Sequence, residues 1–328
     1  YESSTLIMKN NTIIQRSLKS VWHPCSQMKD FEKKSLIPIK SASGSWLIDF
    51  EGKKYLDITS SWWVNLFGHN NSTIKSYINK QLNNLEHSMI AGMTHEPVVN
   101  LSEQLNKITG LGHCFYGSDG SNAIEIALKM SVHFWREKGL PQKNKIVYLQ
   151  NSYHGETLGA LSVTDLAIFR KHYSQLMKSH IQVSSPDLRL KKDDESIKEF
   201  TLNKIKELEE LFENKSDVIS SLILEPLVQC ASGMGIYNKL YLKEARRLCN
   251  EYNIHLIADE IVGIRLPKTV IVEIKEADAV VKGQTASSSF KNASTTNNLK
   301  LLVPQHIKEG DKILINAENL QYLEKSKD

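Results

Sequence analysis

The stretch His255-Leu-Ile-Ala-Asp-Glu-Ile261 decides the fold. His255–Ala258 reads as a short apolar strand, and an acid stands directly behind it. Upstream, strand and helix patterns alternate. Ser121 to Glu137 reads as a helix with Ile124, Ala127 and Leu128 on one face, and Lys145–Leu149 as a strand. Leu202, Ile205, Leu208 and Leu211 recur at helical spacing in a charged segment, which predicts a surface helix. Ser220–Leu224 is a strand and Leu240–Tyr252 a helix. Alternation of this kind specifies an α/β fold, a mainly parallel sheet covered by helices. Downstream of Ile261 the period changes to two. Thr269-Val-Ile-Val-Glu-Ile274, Leu299–Val303 and Lys312–Ile315 are alternating segments separated by Gly, Asn and Pro, and 285–298 reads as turns with a polar strand. All five tryptophans and all four cysteines precede residue 261. The chain therefore divides into an N-terminal tail (1–20), an α/β part (21–261) and a small all-β part (262–328), with the boundary at 261–267 near Pro267.

Composition narrows the class. A chain of 328 residues has room for about two domains. Forty-one Lys and Arg against 37 Asp and Glu leave a net charge of +4, which argues against a dedicated nucleic-acid binder without excluding a local basic patch. Cys25, Cys114, Cys230 and Cys249 lie far apart, offering no zinc site and fitting a reducing compartment. No apolar run is long enough to span a membrane, so a cytoplasmic location is expected. Met8 is a plausible natural start.

Three groups of residues carry chemistry. Gly117-Ser-Asp-Gly-Ser-Asn122 opens a helix, where unpaired N–H groups and the positive end of the helix dipole attract phosphate; an ordinary cap by Ser121 or Asp119 is the plainer alternative. Tyr153 and His154 follow the strand 145–149 at its carboxyl end, where ligands gather in open α/β sheets. Tyr153 is either a ring that stacks on a planar cofactor or a structural tyrosine, and His154 either a contact or a turn histidine. Asp259 needs a partner, because an unpaired buried carboxylate is costly. A pyridinium nitrogen would supply one; magnesium on Asp259 and Glu260 is the competing chemistry, and no phosphate-loop motif accompanies it. Glu225, followed by Pro226, stands at the end of a neighbouring strand and can support the same site.

These residues in this order resemble the class III, fold-type I pyridoxal phosphate aminotransferases, and more narrowly the adenosylmethionine–8-amino-7-oxononanoate aminotransferases of biotin synthesis. The resemblance covers residues ~21–261 and rests on Val21-Trp-His-Pro-Cys-Ser-Gln-Met28, Ser60-Ser-Trp-Trp63 with Gly68-His-Asn70, Gly120-Ser121, Asn151-Ser-Tyr-His-Gly155, Glu225-Pro226 and Ala258-Asp-Glu-Ile261. It implies that Gly120, Ser121 and Asn122 hold the phosphate of pyridoxal 5'-phosphate, with Tyr153 stacked on the ring and Asp259 on the ring nitrogen. It further implies that His154 and Glu225 complete the cofactor pocket, and that Trp62, with Tyr153, lines the substrate pocket. The family moves an amino group from S-adenosylmethionine to 8-amino-7-oxononanoate, giving 7,8-diaminononanoate, and works as a homodimer. Its reaction requires a Schiff-base lysine beyond the aspartate. Lys282 and Lys291 stand in that range, both in β-rich sequence unlike the family's motif, so the catalytic lysine is absent by this comparison. Cys25 replaces an aromatic residue common in the family.

The last part resembles something else. Lys291-Asn-Ala293, Asn298, Leu301, Val303-Pro304, Ile307 and Gly310 are similar to the C-terminal OB-type domain of bacterial elongation factor P. Asn298 stands where that family has glycine, a mild departure, because asparagine tolerates a left-handed turn. The resemblance implies a small barrel making weak contact with tRNA or the ribosome, without the factor's own first domain. The expected molecule is thus a truncated aminotransferase large domain joined to a translation-factor domain. It reads as an inactive enzyme, a tRNA-contacting module or a fusion with no function of its own.

Overall fold

The computed structural model describes residues 10–259, 269–278, 290–296, 299–316 and 321–326. They fall into two units, Tyr1–Cys114 and Phe115–Asp328.

In the first unit, part of the expected N-terminal tail is a helix, α1 (Asn10–Ser20). Asn10 ties its start to a three-stranded antiparallel sheet, β1 (Ile39–Ser43), β2 (Trp46–Asp49) and β3 (Lys54–Leu56). Its amide donates to Asp49 Oδ2 at 2.9 Å and accepts from the Phe50 N–H at 3.1 Å. Asp49 is buried and also receives the N–H groups of Glu51 and Lys53, which closes the β2–β3 turn. After β3 the backbone turns left-handed through four consecutive non-glycine residues, Ser60, Ser61, Trp62 and Trp63, with φ of 49°, 49°, 72° and 65°. Each such residue costs roughly 1–2 kcal/mol, because the L side chain crowds the next carbonyl. Beyond the turn, Gly68 (φ 77°) crosses β1–β2 so closely that a Cβ would lie 3.1 Å from Gly44 Cα. Two helices follow: α2 (Ser72–Leu82), capped by Asn71 accepting from the Ile74 N–H, and α3 (Glu96–Thr109), ended by left-handed Gly110.

The second unit starts with α4 (Gly120–Glu137), whose buried residues Ile124, Leu128, Ser131 and Trp135 fall on one stripe. The parallel sheet consists of β4 (Lys145–Leu149), β5 (Ile181–Val183), β6 (Ile219–Leu224) and β9 (His255–Ala258), in the order β5-β4-β6-β9. A hairpin, β7 (Val228–Gln229) and β8 (Gly235–Ile236), lies between β6 and β9 in the chain. Alternation sorts β4 onto two faces. Ile146 and Tyr148 join Ile124, Leu128 and Ala160 on the side of α4 and the short helix α5 (Leu158–Ser162). Val147 and Leu149 join Ile205, Leu208, Phe212, Tyr241 and Leu248 on the side of α6 (Ile197–Lys215) and α7 (Lys239–Glu251). Both faces of the strand are buried, as a parallel sheet between helix layers requires. Each fully buried Leu, Ile or Phe contributes about 1.5–3 kcal/mol. In the predicted helix, α6, Ile205 and Leu208 of the expected row are buried and Leu211 packs against the same core, while Leu202 is exposed and Phe200 and Phe212 complete the inward face. Trp135 fixes α4 to the sheet by donating from Nε1 to the Ser220 carbonyl at 2.9 Å, and the Lys143 ammonium sits 4.4 Å from the centre of its ring.

The C-terminal strands form a second, antiparallel sheet: β10 (Thr269–Ala277), β11 (Phe290–Thr295), β12 (Lys300–Pro304), β13 (Lys312–Asn316) and β14 (Tyr322–Lys325), ordered β12-β11-β10-β13-β14. The sheet curls until its edge strands β12 and β14 touch without pairing, as an OB-type barrel does. Period two shows in the burial, up to the register shift after Ile274. Val272, Ile274, Leu301, Val303, Ile313 and Ile315 point inward with Ala293 and Ile307, while Ile271 and Leu302 point out. The expected boundary at 261–267, Lys282 and Asn298 lie outside the described residues.

This core has its own members, and a barrel of such size can fold unaided. Residues 262–328 expressed alone are expected to give the same dispersed amide spectrum that they give in the full chain. A collapsed spectrum for the fragment would show that the barrel depends on the α/β part.

Candidate functional site

The carboxyl ends of β4, β6 and β9 carry the candidate site. Beyond β4 the chain enters a loop, 151–165, that is tied to itself. Asn151 takes a left-handed φ of 64° and its N–H donates to Asp165 Oδ2 at 2.9 Å. The Ser152 hydroxyl donates to the Val163 carbonyl at 2.9 Å, and the His154 N–H to Thr164 Oγ1 at 2.9 Å. The rings of Tyr153 and His154 therefore leave a fixed backbone.

Three titratable groups meet there. His154 Nδ1 lies 2.6 Å from Asp259 Oδ2; the histidine side chain is fully buried and that of the aspartate is 12% exposed. The carboxylate accepts, so Nδ1 carries the proton, and the ring is held in one orientation. Asp259 itself is fixed to the neighbouring strand by its N–H, which donates to the Leu224 carbonyl at 2.9 Å. Glu225, one residue further along that strand, accepts from the Tyr153 N–H through Oε1 at 3.1 Å and from the Cys230 N–H through Oε2 at 2.9 Å. The Tyr237 hydroxyl holds the Glu225 carbonyl at 2.6 Å. Burial pushes the Glu225 carboxyl up to about 7. The charge of His154 and the two N–H donors oppose the rise, and the charge of Asp259 adds to it.

The start of α4 closes the other side. Asp119 caps the helix, its Oδ1 accepting from the Asn122 N–H at 2.8 Å. That occupies the backbone donor of Asn122. Among the described residues the N–H groups of Gly120 and Ser121 have no partner. The Ser121 hydroxyl meets Thr157 twice: Oγ1 at 2.9 Å, and the N–H, which donates to it, at 3.1 Å. Gly155, at φ 115°, passes so close that a Cβ would sit 2.9 Å from Ser121 Cα. Only glycine allows the Tyr-His-Gly turn to lie against the helix start.

The structure thus brings together Gly120, Ser121, Asn122, Tyr153, His154, Glu225 and Asp259 around the strand ends. Trp62 belongs to the first unit, in the left-handed turn, and is 78% exposed. Of the two lysines weighed for the Schiff base, Lys282 and Lys291, the second lies in β11 opposite Val303. Thr157, Thr164 and Glu125 escaped the sequence reading. Thr157 had a signal, since it follows Gly155 by two residues in the same turn. Thr164 and Glu125, which accepts the N–H groups of Gly159 and Ala160, had none, because each acts across a loop.

The donor set suits pyridoxal phosphate. Two free helix N–H groups and the Ser121 hydroxyl suit a phosphate, and the second oxygen of Asp259 has no partner among the described residues. His154 Nε2 is buried and likewise unpartnered among them.

Both parts of the chain are similar to known proteins. Residues 28–263 match the family model of class-III aminotransferases, and residues 270–325 that of the C-terminal domain of elongation factor P. The adenosylmethionine-8-amino-7-oxononanoate aminotransferase of Helicobacter pylori is 44% identical over 245 residues, 74% of this chain and 54% of the relative. That of Staphylococcus aureus is 40% identical over 254 residues, 75% of this chain and 56% of the relative. The chain spans about half the length of these relatives. Among solved structures, the enzyme of the same name from Methanocaldococcus jannaschii superimposes with a TM-score of 0.70 at 29% identity, covering 77% of this chain and 55% of that one. An amine transaminase from an uncultivated Pseudomonas species, solved with pyridoxal phosphate bound, gives 0.68 at 29% identity, covering 74% and 56%. Over residues 28–263 this chain therefore belongs to the class-III aminotransferases.

Proposed function

We propose that the chain binds pyridoxal phosphate without a covalent lysine and does not complete the amino transfer from S-adenosylmethionine to 8-amino-7-oxononanoate. The observation that carries this reading is the His154–Asp259 pair beside the Ser121–Gly155 contact, next to a family match that ends at residue 263. The chain's residues divide the binding work. Gly120 and Ser121 offer donors to the phosphate. Tyr153 offers its ring to the cofactor's face. Asp259, oriented by His154, offers a carboxylate oxygen to the ring nitrogen. Glu225 ties the Tyr153 backbone to the 230 loop and so fixes the distance between β4 and β6. When bound, the cofactor supplies an electron sink, which Asp259 strengthens by keeping the ring nitrogen protonated. Lys291 is committed to a strand of the C-terminal sheet, and no residue matching the family's lysine motif follows Asp259 in the sequence.

Titration of the full chain with pyridoxal phosphate, followed by quenching of tryptophan fluorescence, is expected to saturate. Asp259→Ala should weaken binding at least about tenfold, roughly 1.4 kcal/mol. Equal affinity of the two proteins would remove Asp259 from the site. Borohydride treatment with the cofactor present is expected to fix it to no single lysine; one lysine labelled stoichiometrically would overturn the non-covalent reading.

Glu225 adds a pH dependence. Its carboxyl rises from 4.5 to about 7 in the folded chain, so the folded state holds the extra proton between those values. Stability from this group is complete below about 4.5 and is lost as pH climbs through 7, a total on the order of 3 kcal/mol. The stability of the wild type against urea should fall between pH 5 and 8. Glu225→Gln, which cannot ionise, should flatten that slope, and an unchanged slope in the variant would locate the titration elsewhere.

A second reading concerns the C-terminal sheet. Its match to the elongation factor P domain and the exposed Lys308 support weak contact with tRNA through phosphates. Labelled tRNA is expected to bind the full chain at low salt and to release at moderate salt. No binding at low salt would leave the fusion without a nucleic-acid role.

A further inference from the structure

The most strained segment among the described residues lies outside the cofactor pocket. Ser60, Ser61, Trp62 and Trp63 form one turn of left-handed helix, although none is glycine. Its backbone bonds are short-range: the Ser60 N–H reaches the Asp57 carbonyl at 3.3 Å, the Trp63 N–H the Thr59 carbonyl at 2.8 Å, and the Val64 and Asn65 N–H groups the Ser60 carbonyl at 3.0 and 3.2 Å. A turn of this hand does not persist on its own.

What surrounds it is a single carboxylate. Asp57 Oδ1 accepts from the Ser61 N–H at 3.0 Å and from the Thr59 hydroxyl at 3.4 Å. Its Oδ2 accepts from the Ser61 hydroxyl at 2.7 Å and faces His69 Nε2 at 2.8 Å. Every acceptor site of the carboxylate is thus directed at the turn or at His69. Those hydrogen bonds, from the Ser61 N–H, His69 and the Ser61 hydroxyl, hold the carboxyl down at about 2, so it is ionised at neutral pH. Both ends of the pair are anchored. Asp57 follows β3 and its N–H donates to the Ser45 carbonyl at 2.9 Å. His69 exchanges backbone bonds with Gly44 at 2.8 and 3.0 Å, across the close approach that Gly68 permits. The carboxylate and the imidazole stand between the three-stranded sheet and the turn. The side chains of Asp57 and His69 are 7% and 15% exposed, whereas Trp62 and Trp63 are 78% and 62% exposed. Part-buried polar groups hold a strained backbone, and that backbone presents two indoles.

We propose that Asp57 and His69 are positioning residues that lock the left-handed turn Ser60–Trp63, so that Trp62 and Trp63 are set as a preformed aromatic platform for a flat or apolar substrate group. The platform's use rests on the reading of Trp62 as a substrate-pocket residue; the lock does not. Its worth lies in preorganisation. An indole pair on a free loop would have to be ordered on each encounter, and that cost would subtract from affinity. A turn already held in its minority conformation spares it.

The test reads the turn directly. The full chain is labelled with 5-fluorotryptophan, and its five fluorine resonances are assigned by single Trp→Phe substitutions. In Asp57→Ala, the Trp62 and Trp63 resonances are expected to collapse toward the free-indole position, while those of Trp22, Trp46 and Trp135 stay in place. His69→Gln should shift the same two resonances by a smaller amount. Ser60→Gly in the Asp57→Ala background is expected to restore their dispersion at least in part, because glycine adopts positive φ without strain. A merely structural aspartate would disturb Trp46 of the adjoining sheet as much as Trp62, and glycine would not rescue it. Unmoved Trp62 and Trp63 resonances in Asp57→Ala would overturn the proposal. If Asp57→Ala does not fold, seen as loss of the Trp135 shift, Asp57→Asn serves. It keeps an acceptor for the Ser61 N–H but replaces the oxygen shared by the Ser61 hydroxyl and His69 with an amide NH2, so it should shift the same two resonances at least as far as His69→Gln does; no shift in either variant overturns the lock. S-adenosylmethionine added to the wild type separates the two claims: an unmoved Trp62 resonance would remove the substrate platform and leave the lock standing.

Discussion

The second unit is organised around a carboxylate problem. Adjacent parallel strands β6 and β9 end in Glu225 and Asp259, and two ionised acids at neighbouring strand ends repel. His154 resolves the conflict from a third element, the loop after β4, by pairing with Asp259, while Glu225 is left to share backbone donors from Tyr153 and Cys230. The remaining arrangement follows. The loop must hold His154 in place, hence its ties through Asp165, Val163 and Thr164. The turn must then pass the start of α4, hence the absence of a side chain at Gly155. Removing water from the acids raises the electrostatic stakes, and the polar partners are correspondingly numerous.

Much of this was legible in the chain because the informative features are local. An apolar strand ended by an acid, a glycine-containing helix start and a Tyr-His-Gly turn each occupy a handful of contiguous residues, and the parallel sheet follows from their alternation. Periodicity falls short at α6 in one place: Ile205 and Leu208 of the expected row are buried and Leu211 packs on the same core, but Leu202 is exposed, and Phe200 and Phe212, outside that row, fill the rest of the inward face. The cap of α4 shows the same limit. Both Ser121 and Asp119 were chemically able to serve, and only the spacing of Asp119 to the third helical N–H decides between them.

What the sequence could not reveal is long-range or conformationally unusual. Thr164 and Glu125 act across loops through single hydrogen bonds, which leave no periodic trace. The left-handed turn is invisible for another reason. Ser-Ser-Trp-Trp has no residue that favours positive φ, so propensity points away from the conformation the chain adopts. It persists because Asp57, His69 and the Gly44–Gly68 crossing over-determine it, and those four positions span 26 residues, from 44 to 69.

The order β5-β4-β6-β9 means that, among the described residues, β4 and β6 are hydrogen-bonded on both sides whereas β9 is bonded on one. The four residues of β9 are also only partly covered, while β6 is buried from end to end. Permanence is therefore graded across the sheet. Amide protons at its centre report the opening of the whole unit, and those at its rim report fraying of one strand. Asp259 sits on the rim. The residue with the most chemical consequence in this unit is thus carried, among the described residues, by an edge strand, and His154, anchored from the centre, keeps it in register.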